Sequence, residues 1–223
     1  MLTLRPAATR GNPTAPFINS YRTFHFPPWH SAEYQNYSHL ETINDDRVQY
    51  AWQVPWHRHE NMEIFGYVVS GSSHHVDSLG NDVEVPAGAV QRMTCGTGIE
   101  HTEGNTANTP NRYLQLWIQP NEFNTEPGHA WHQFSRADKL NTFCNITEYL
   151  PIHQDARLLA GIFTEDYVYW INPDRHYYLY VVTGTAVIND QPVVEGDGLA
   201  FEAESSLSVT QPAEAEIILF DLR

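Results

Sequence analysis

Cysteine is scarce in this chain: Cys95 and Cys144 are the only two among 223 residues. Two thiols are too few for a disulfide framework or a thiolate-bound structural zinc, and both read as small, partly buried side chains. Basic residues are also few, 12 Lys and Arg against 27 Asp and Glu, for a formal net charge of −15. Proteins that bind nucleic acid directly neutralise phosphates and need the opposite balance, and anionic membrane surfaces are disfavoured for the same reason. No run of eighteen apolar residues exists, so no membrane-spanning segment is expected. The opening "MLTLRPAATRGNPTAPF" has no apolar stretch of signal-peptide length, and a cytoplasmic location is expected. Charged residues amount to only 17%, yet 41% hydrophobic and 13% aromatic residues indicate a folded globular protein rather than a disordered one.

What the chain does contain is β-structure, and it repeats. "YVVSG" at Tyr67–Gly71 recurs as "YVVTG" at Tyr180–Gly184. Each is followed by a second apolar strand, an Asn-Asp pair (Asn81-Asp82, then Asn189-Asp190) and a short strand reaching a glycine (Gly88, then Gly196). Two copies of one β unit predict two similar β domains. Short runs such as "EIFGYVV", "YLQLWIQ", "YYLYVV" and "EIILFDL" are rich in β-branched and aromatic residues and bounded by turn formers. "DARLLAGIF" reads as a strand, and helix-favouring sequence around "SRADKLNTF" is brief. This is an all-β pattern of sandwiches, barrels or jelly rolls. The Pro- and Gly-bearing "QPNEFNTEPGHAWHQF" is the expected connection between domains, placed at 1–128 and 129–223.

On a strand, residues i and i+2 face the same side. His57 and His59 can therefore both point into one interior, and His101 and Glu103 in "GIEHTEGN" repeat the spacing. Two such pairs on neighbouring strands would converge as three imidazoles and one carboxylate with coordination positions left open. That donor set suits iron(II), and also manganese, cobalt, nickel, copper or zinc. "SSHHVDS" adds His74 and His75, which alternation sends to opposite faces, so one of them can face the pocket.

The surrounding segments, "HRHENMEIFGYVVSG", "HVDSLGN", "PAGAVQRMTCGTGIEHTEGN" and "LQLWIQP", together resemble the pirin family of the cupin superfamily. His57, His59 and Glu63 fit its His-x-His-x-x-x-Glu element, and Asp77, Ser78, Gly80 and Asn81 fit its Asp-Ser-x-Gly-Asn turn. Val90 through Glu103 fit the element that ends in His-x-Glu, and the N-terminal "YRTFHF" and C-terminal "ILFDLR" extend the likeness to nearly the whole chain. The resemblance implies two tandem cupin-type β-barrel (jelly-roll) domains with one metal in the N-terminal barrel. Its ligands would be His57, His59, His101 and Glu103, with Fe(II) the expected ion and Glu63 a structural carboxylate. In the second repeat, Asn172 stands where His59 would and His176 where Glu63 would, so the C-terminal domain is expected to bind no metal. Cys95 replaces the small residue that the family commonly carries; it is read as buried, the sharper reading being a redox-sensitive thiol near the metal.

The resemblance further implies a quercetinase-type dioxygenase, opening the heterocycle of a flavonol or similar chelating phenolic with dioxygen. Glu103 would be the catalytic base, and Met62, Phe65, Met93 and Trp117 are the candidates to line the aromatic pocket. The alternative is a metal-dependent, redox-responsive regulator that docks on protein partners. A cupin isomerase acting on a sugar or keto acid would need anion-binding Arg or Lys in the pocket; alternation points Arg58 outward, leaving Arg92. Two linked barrels can mimic a cupin dimer, so a monomer is compatible with the fold.

Overall fold

The computed structural model describes residues 1–223, the side chain of Thr14 excepted, and the chain divides into two compact units. One comprises Arg10–Phe134 with Leu150–Gln154; the other comprises Met1–Thr9, Ser135–Tyr149 and Asp155–Arg223. The boundary expected at 128/129 therefore differs in two places. Gly128–Gln133 is a strand that pairs along its length with Ala89–Thr94, so the supposed linker ends inside the first unit. At the other end, Leu2–Arg5 pairs with Gly198–Phe201, which places the chain's first strand in the second unit.

The first unit is built from two antiparallel sheets. A four-stranded sheet runs Trp52–His59, Ile99–Asn105, Ser72–Asp77, Asp82–Pro86. A seven-stranded sheet runs Gly128–Gln133, Ala89–Thr94, Glu63–Ser70, Asn111–Ile118, Leu40–Val48, Ile18–Arg22, Thr14–Ala15. Alternation decides what lies between them. Val48, Val68 and Tyr113 from the large sheet pack with Val85, Val83 and Trp52 from the small one. A second cluster joins Ile64, Met93, Cys95 and Ile99, with Met62 and Trp117 against it. Fully burying each such side chain contributes about 1.5–3 kcal/mol, and this places the rigid core around the polar face described below.

The second unit is one eight-stranded sheet around a core that includes Phe163, Tyr177, Leu199, Phe201 and Leu219. Its long strands, His176–Ile188 and Ser206–Leu222, carry several register shifts along their pairing, which is how one strand bends to serve two parts of a barrel. Arg157–Phe163 is a strand, as the sequence pattern predicts, and the α-helices are single turns at Arg136–Lys139 and Ile146–Tyr149.

The repeat seen in the sequence is a repeat in backbone geometry. Gly71 and Gly184 both have left-handed φ, 70° and 75°, as do Gly88 and Gly196, 83° and 86°. The Gly88 N–H donates to the Val68 carbonyl and the Gly196 N–H to the Val181 carbonyl, at 2.9 and 2.8 Å. Both valines are the first of the "VV" pair. The copies differ at the Asn-Asp turn: Asn189 and Asp190 both have positive φ, whereas in the first copy Gly80 takes that conformation.

Candidate metal centre

The four-stranded sheet presents a row of titratable side chains on its inner face. In its register His101 lies opposite His57 on one side and Asp77 on the other, and Glu103 lies opposite His75. His57 and His59 are partly buried between exposed Trp56, Arg58 and Glu60, as i, i+2 alternation requires. Arg58 points outward and donates to the Thr97 carbonyl at 2.7 Å.

A β-bulge sets the rest of the row. Between the His57–His101 and Val54–Glu103 pairs the register shifts by one residue, so Pro55 and Trp56 oppose Thr102 alone. Pro55 has no N–H to give the ladder, which makes it a natural site for the irregularity. The Thr102 hydroxyl satisfies the Val54 carbonyl there at 2.6 Å. The shift resets alternation: Trp52 and Val54 line the same cavity as His57 and His59, although strict alternation would turn them away.

Ligand-capable atoms of His57, His59 and His101 all lie within 4.8 Å of one another. Their ring centroids are 4.3 to 5.1 Å apart. Glu103 forms a second group with His75 and His101, also within 4.8 Å. Burial, reinforced by His57 and His59, pushes His101 down to about 2; burial and then His57 push His59 down to about 4. Both rings are therefore neutral at physiological pH, the state that donates a lone pair to a metal. The His57 Nδ1 lies 2.8 Å from the Pro55 carbonyl oxygen, which can only accept; Nδ1 thus carries a proton, and Nε2 is the nitrogen left for a metal. Neither buried ring nitrogen of His101 has a hydrogen-bond partner. Orphaned imidazole nitrogens beside two other imidazoles fit a divalent transition metal, which would remove the desolvation penalty.

Glu103 is buried and accepts a 2.8 Å hydrogen bond from the Gln115 amide. Burial, and then the nearby Asp46 carboxylate, push it up to about 8. Glu63, by contrast, belongs elsewhere: its carboxylate accepts from the Thr94 hydroxyl at 2.7 Å and the His153 N–H at 3.1 Å. Cys95 is fully buried, and burial, then Glu63, push its thiol up to about 12, so it lacks the thiolate character that a redox sensor needs.

Two histidines close to the site, His75 and His129, were not assigned a role by sequence reasoning. His75, not His74, faces inward; its Nε2 donates to Asp77 at 3.0 Å, and Asp77 is fixed by the Asn81 side chain and the Leu79 N–H. The His129 ring stacks on His75, centroids 4.1 Å apart and planes within 9°, and hydrogen-bonds Gln91. Alternation could indicate that one of His74 and His75 faces in, but a stack with a residue over fifty positions away leaves no local signal. His74 lies on the other face, bonded to Gln53 and Asp82.

Two spaces adjoin Glu103. A void of about 10 Å³, room for one water, is bounded by Phe65, His75, Met93, His101 and Gln115, among others. A cavity of about 300 Å³ opens in front of His57 and His59, walled by Trp52, Val54, Phe26 and Trp117. Of the pocket candidates, Trp117 lines the large cavity, Phe65 and Met93 the small void, and Met62 packs against the Met93–Cys95 cluster. Among the described residues, every three-residue cluster able to hold a metal belongs to the first unit. In the second, Asn172 caps a turn by accepting the Asp174 N–H, and His176 is exposed.

Comparison with known proteins agrees with this architecture. Residues 5–118 match the family described as pirin, and residues 146–222 match the quercetinase C-terminal cupin domain. A quercetin 2,3-dioxygenase of Escherichia coli K12 is 34% identical over all of this chain and 99% of its own length. A pirin-like protein of Caulobacter vibrioides is 30% identical over 99% of both chains. The crystal structure of YhhW from Escherichia coli superposes with a TM-score of 0.94 at 31% identity, covering 100% of this chain and 98% of that one. The bacterial pirin YhhW in complex with nickel(II) gives a TM-score of 0.93, again at 31% identity, with 100% and 99% covered. Two tandem cupin domains, an imidazole-rich face confined to the first, and similarity along the full length lead to one conclusion: the chain belongs to the pirin family.

Proposed function

We propose that this protein is a metal-dependent dioxygenase of the quercetinase type, opening a ring of a flavonol or a similar chelating phenolic. The observation that carries the proposal is His101, buried with both ring nitrogens unpaired beside the imidazoles of His57 and His59. His57, His59, His101 and Glu103 are the proposed ligands of one divalent transition metal, with Fe(II) the working ion. The nickel(II) complex of the related bacterial pirin supports a divalent ion in such a site. When bound, the metal supplies Lewis acidity toward adjacent hydroxyl and carbonyl oxygens and electronic access to dioxygen.

The chain's own groups do the remainder. The Pro55 carbonyl holds His57 in the tautomer that exposes Nε2. Trp52, Phe26 and Trp117 form an apolar slot for a flat ring, with a volume at the lower end of small-molecule pockets. Glu103 borders that slot, and Gln115 fixes one of its carboxylate oxygens, leaving the other to take the substrate's hydroxyl proton.

The test is metal analysis of the purified protein, anaerobic loading with Fe(II), and oxygen uptake on adding quercetin. About one metal per chain with quercetin-dependent uptake is expected. Bound metal without uptake would reject the reaction and keep the site; no metal under loading conditions would reject the site.

A further inference from the structure

The large sheet faces the metal centre with a polar surface of its own. Asn44 and Asp46 are i, i+2 neighbours on Leu40–Val48, and their faces align across the sheet with Gln115 and Tyr113 on one side and Arg22 and Ser20 on the other. Both line the 300 Å³ cavity across from His57, His59 and Glu103. Asn44 is 2% exposed and Asp46 3%, yet the Oδ1 of each has no hydrogen-bond partner. Two buried acceptors without donors are a costly arrangement unless something brings the donors.

The neighbouring groups do not bring them. Ser20 bonds the Asp46 carboxyl, but Oδ1 stays unpaired. The Arg22 guanidinium is committed to the carbonyls of Phe26 and Pro27 and lies 4.9 Å from the Phe26 ring, so it props the aromatic wall. With Arg22 occupied, the cavity presents Asp46 and Glu103 to its contents and suits a neutral donor rather than an anion.

We infer that Asn44 and Asp46 form a specificity subsite that accepts hydrogen bonds from hydroxyl or N–H groups of the substrate, remote from its metal-chelating oxygens. The inference rests on the dioxygenase reading and names its substrate class: a flat aromatic with a chelating hydroxyl–carbonyl pair at one end and donor-bearing rings at the other. A flavonol without ring hydroxyls would still chelate but would leave both acceptors unpaired, and sites built to hydrogen-bond a substrate discriminate strongly against analogues that lack the donor.

The experiment is an anaerobic titration of the metal-loaded protein, followed by tryptophan fluorescence, since Trp52 and Trp117 line the cavity. The probes are quercetin and 3-hydroxyflavone, which share the chelating pair; only quercetin has further ring hydroxyls. Wild type should bind quercetin about 10-fold or more tightly, the scale of satisfying a buried acceptor that otherwise stays unpaired. Asp46→Leu and Asn44→Leu should each weaken quercetin about 10-fold and leave 3-hydroxyflavone within about twofold; Asp46→Asn, which keeps an acceptor oxygen, should fall between. Should the leucine variants fail to fold or to hold metal, Asp46→Asn decides, with a quercetin-only loss of about threefold or more expected. Equal weakening of both probes, or no weakening, overturns the subsite. Admitting air then separates the two ideas. Oxygen uptake with both probes and no Asp46 dependence keeps the dioxygenase and removes the subsite. Asp46-dependent selectivity without uptake keeps the subsite and removes the dioxygenase. Failure of wild type to bind either probe removes both.

Discussion

At the scale of single residues, the motif contains two buried glutamates with different neighbours, and their substitutions should separate cleanly. Glu63 accepts from Thr94 and from the His153 N–H, so it ties Leu150–Gln154 to the strand that carries it. Glu63→Gln should keep one metal per chain and cost about 1 kcal/mol of stability through weakened bonds. Glu103 instead borders both the void and the cavity, bonded to Gln115. Glu103→Gln keeps the three imidazoles, so metal should stay bound while kcat falls by roughly 10²-fold or more, the range of general-base catalysis. Metal content by elemental analysis and oxygen uptake read the two effects independently; flavonol turnover at the wild-type rate in Glu103→Gln would remove the base assignment. Cys95 gives a third expectation. With its thiol buried and pushed up to about 12, it should resist a thiol reagent in the folded protein. Cys144 is only partly buried, so native labelling should reach one thiol per chain and denatured labelling two. Labelling of Cys95 in the native state would restore the redox-sensor reading.

At the scale of strands, the site depends on how Trp52–His59 is held against Ile99–Asn105. At Gly104 the facing strand leaves no room for a side chain: a Cβ there would sit 2.4 Å from the Trp52 carbonyl oxygen and 2.6 Å from the Gln53 Cα. Backbone cannot give way as a side chain can, so Gly104→Ala should push the strands apart beside Glu103. A loss of about 1–3 kcal/mol is expected, with lowered metal affinity as the neighbouring strand shifts. Thermal melts and a metal-binding titration check this; an unchanged variant would mean the strand pair is more compliant than the packing indicates. The same strands show what the sequence could and could not reveal. His57–His59 and His101–Glu103 are each i, i+2 pairs, a local pattern that alternation turns into a shared face. The doubled "YVV" unit is also local, and its glycines adopt matching left-handed conformations. Less visible is the bulge at Pro55, whose register shift depends on a partner strand over forty residues away. For that reason Trp52 and Val54 went unrecognised as cavity walls. His129 stayed hidden for a related reason. It sits in a stretch whose Pro and Gly suggested a linker, yet it pairs as a strand with Ala89–Thr94, and only that pairing brings it over His75.

At the scale of the whole molecule, an excess of 27 acidic over 12 basic residues makes the placement of buried carboxylates a question of stability. Asp45 and Asp46 are consecutive on one strand, so they face opposite sides, and their surroundings shift them in opposite directions. Burial alone would raise Asp45, but two hydrogen bonds from Arg112 at 2.8 and 2.7 Å, with the charges of Arg112, Arg10 and Arg47, outweigh it and hold the carboxyl below its usual range. Its contribution is therefore complete above the unfolded value near ~3.9 and is lost as pH falls through the lower folded value. Asp46 behaves in the reverse manner. Burial, only partly offset by Ser20 and Arg22 and reinforced by Asp45, raises it to about 7. The unfolded chain ionises Asp46 near ~3.9, so folding is increasingly penalised as pH climbs from about 4 to 7, and the penalty is constant above that. Three pKa units correspond to at most about 4 kcal/mol. Asp46→Asn does not titrate, so its stability advantage over wild type should widen between pH 4.5 and 7 and level off by pH 8.5. Asp45→Asn should show the opposite sign, less stable than wild type at neutral pH and converging with it in acid. Denaturation midpoints of the three proteins across that range settle the matter. An Asp46→Asn advantage that does not change with pH would show that Asp46 is already ionised in the folded state, and its face of the sheet would then have to be wetter than its burial indicates.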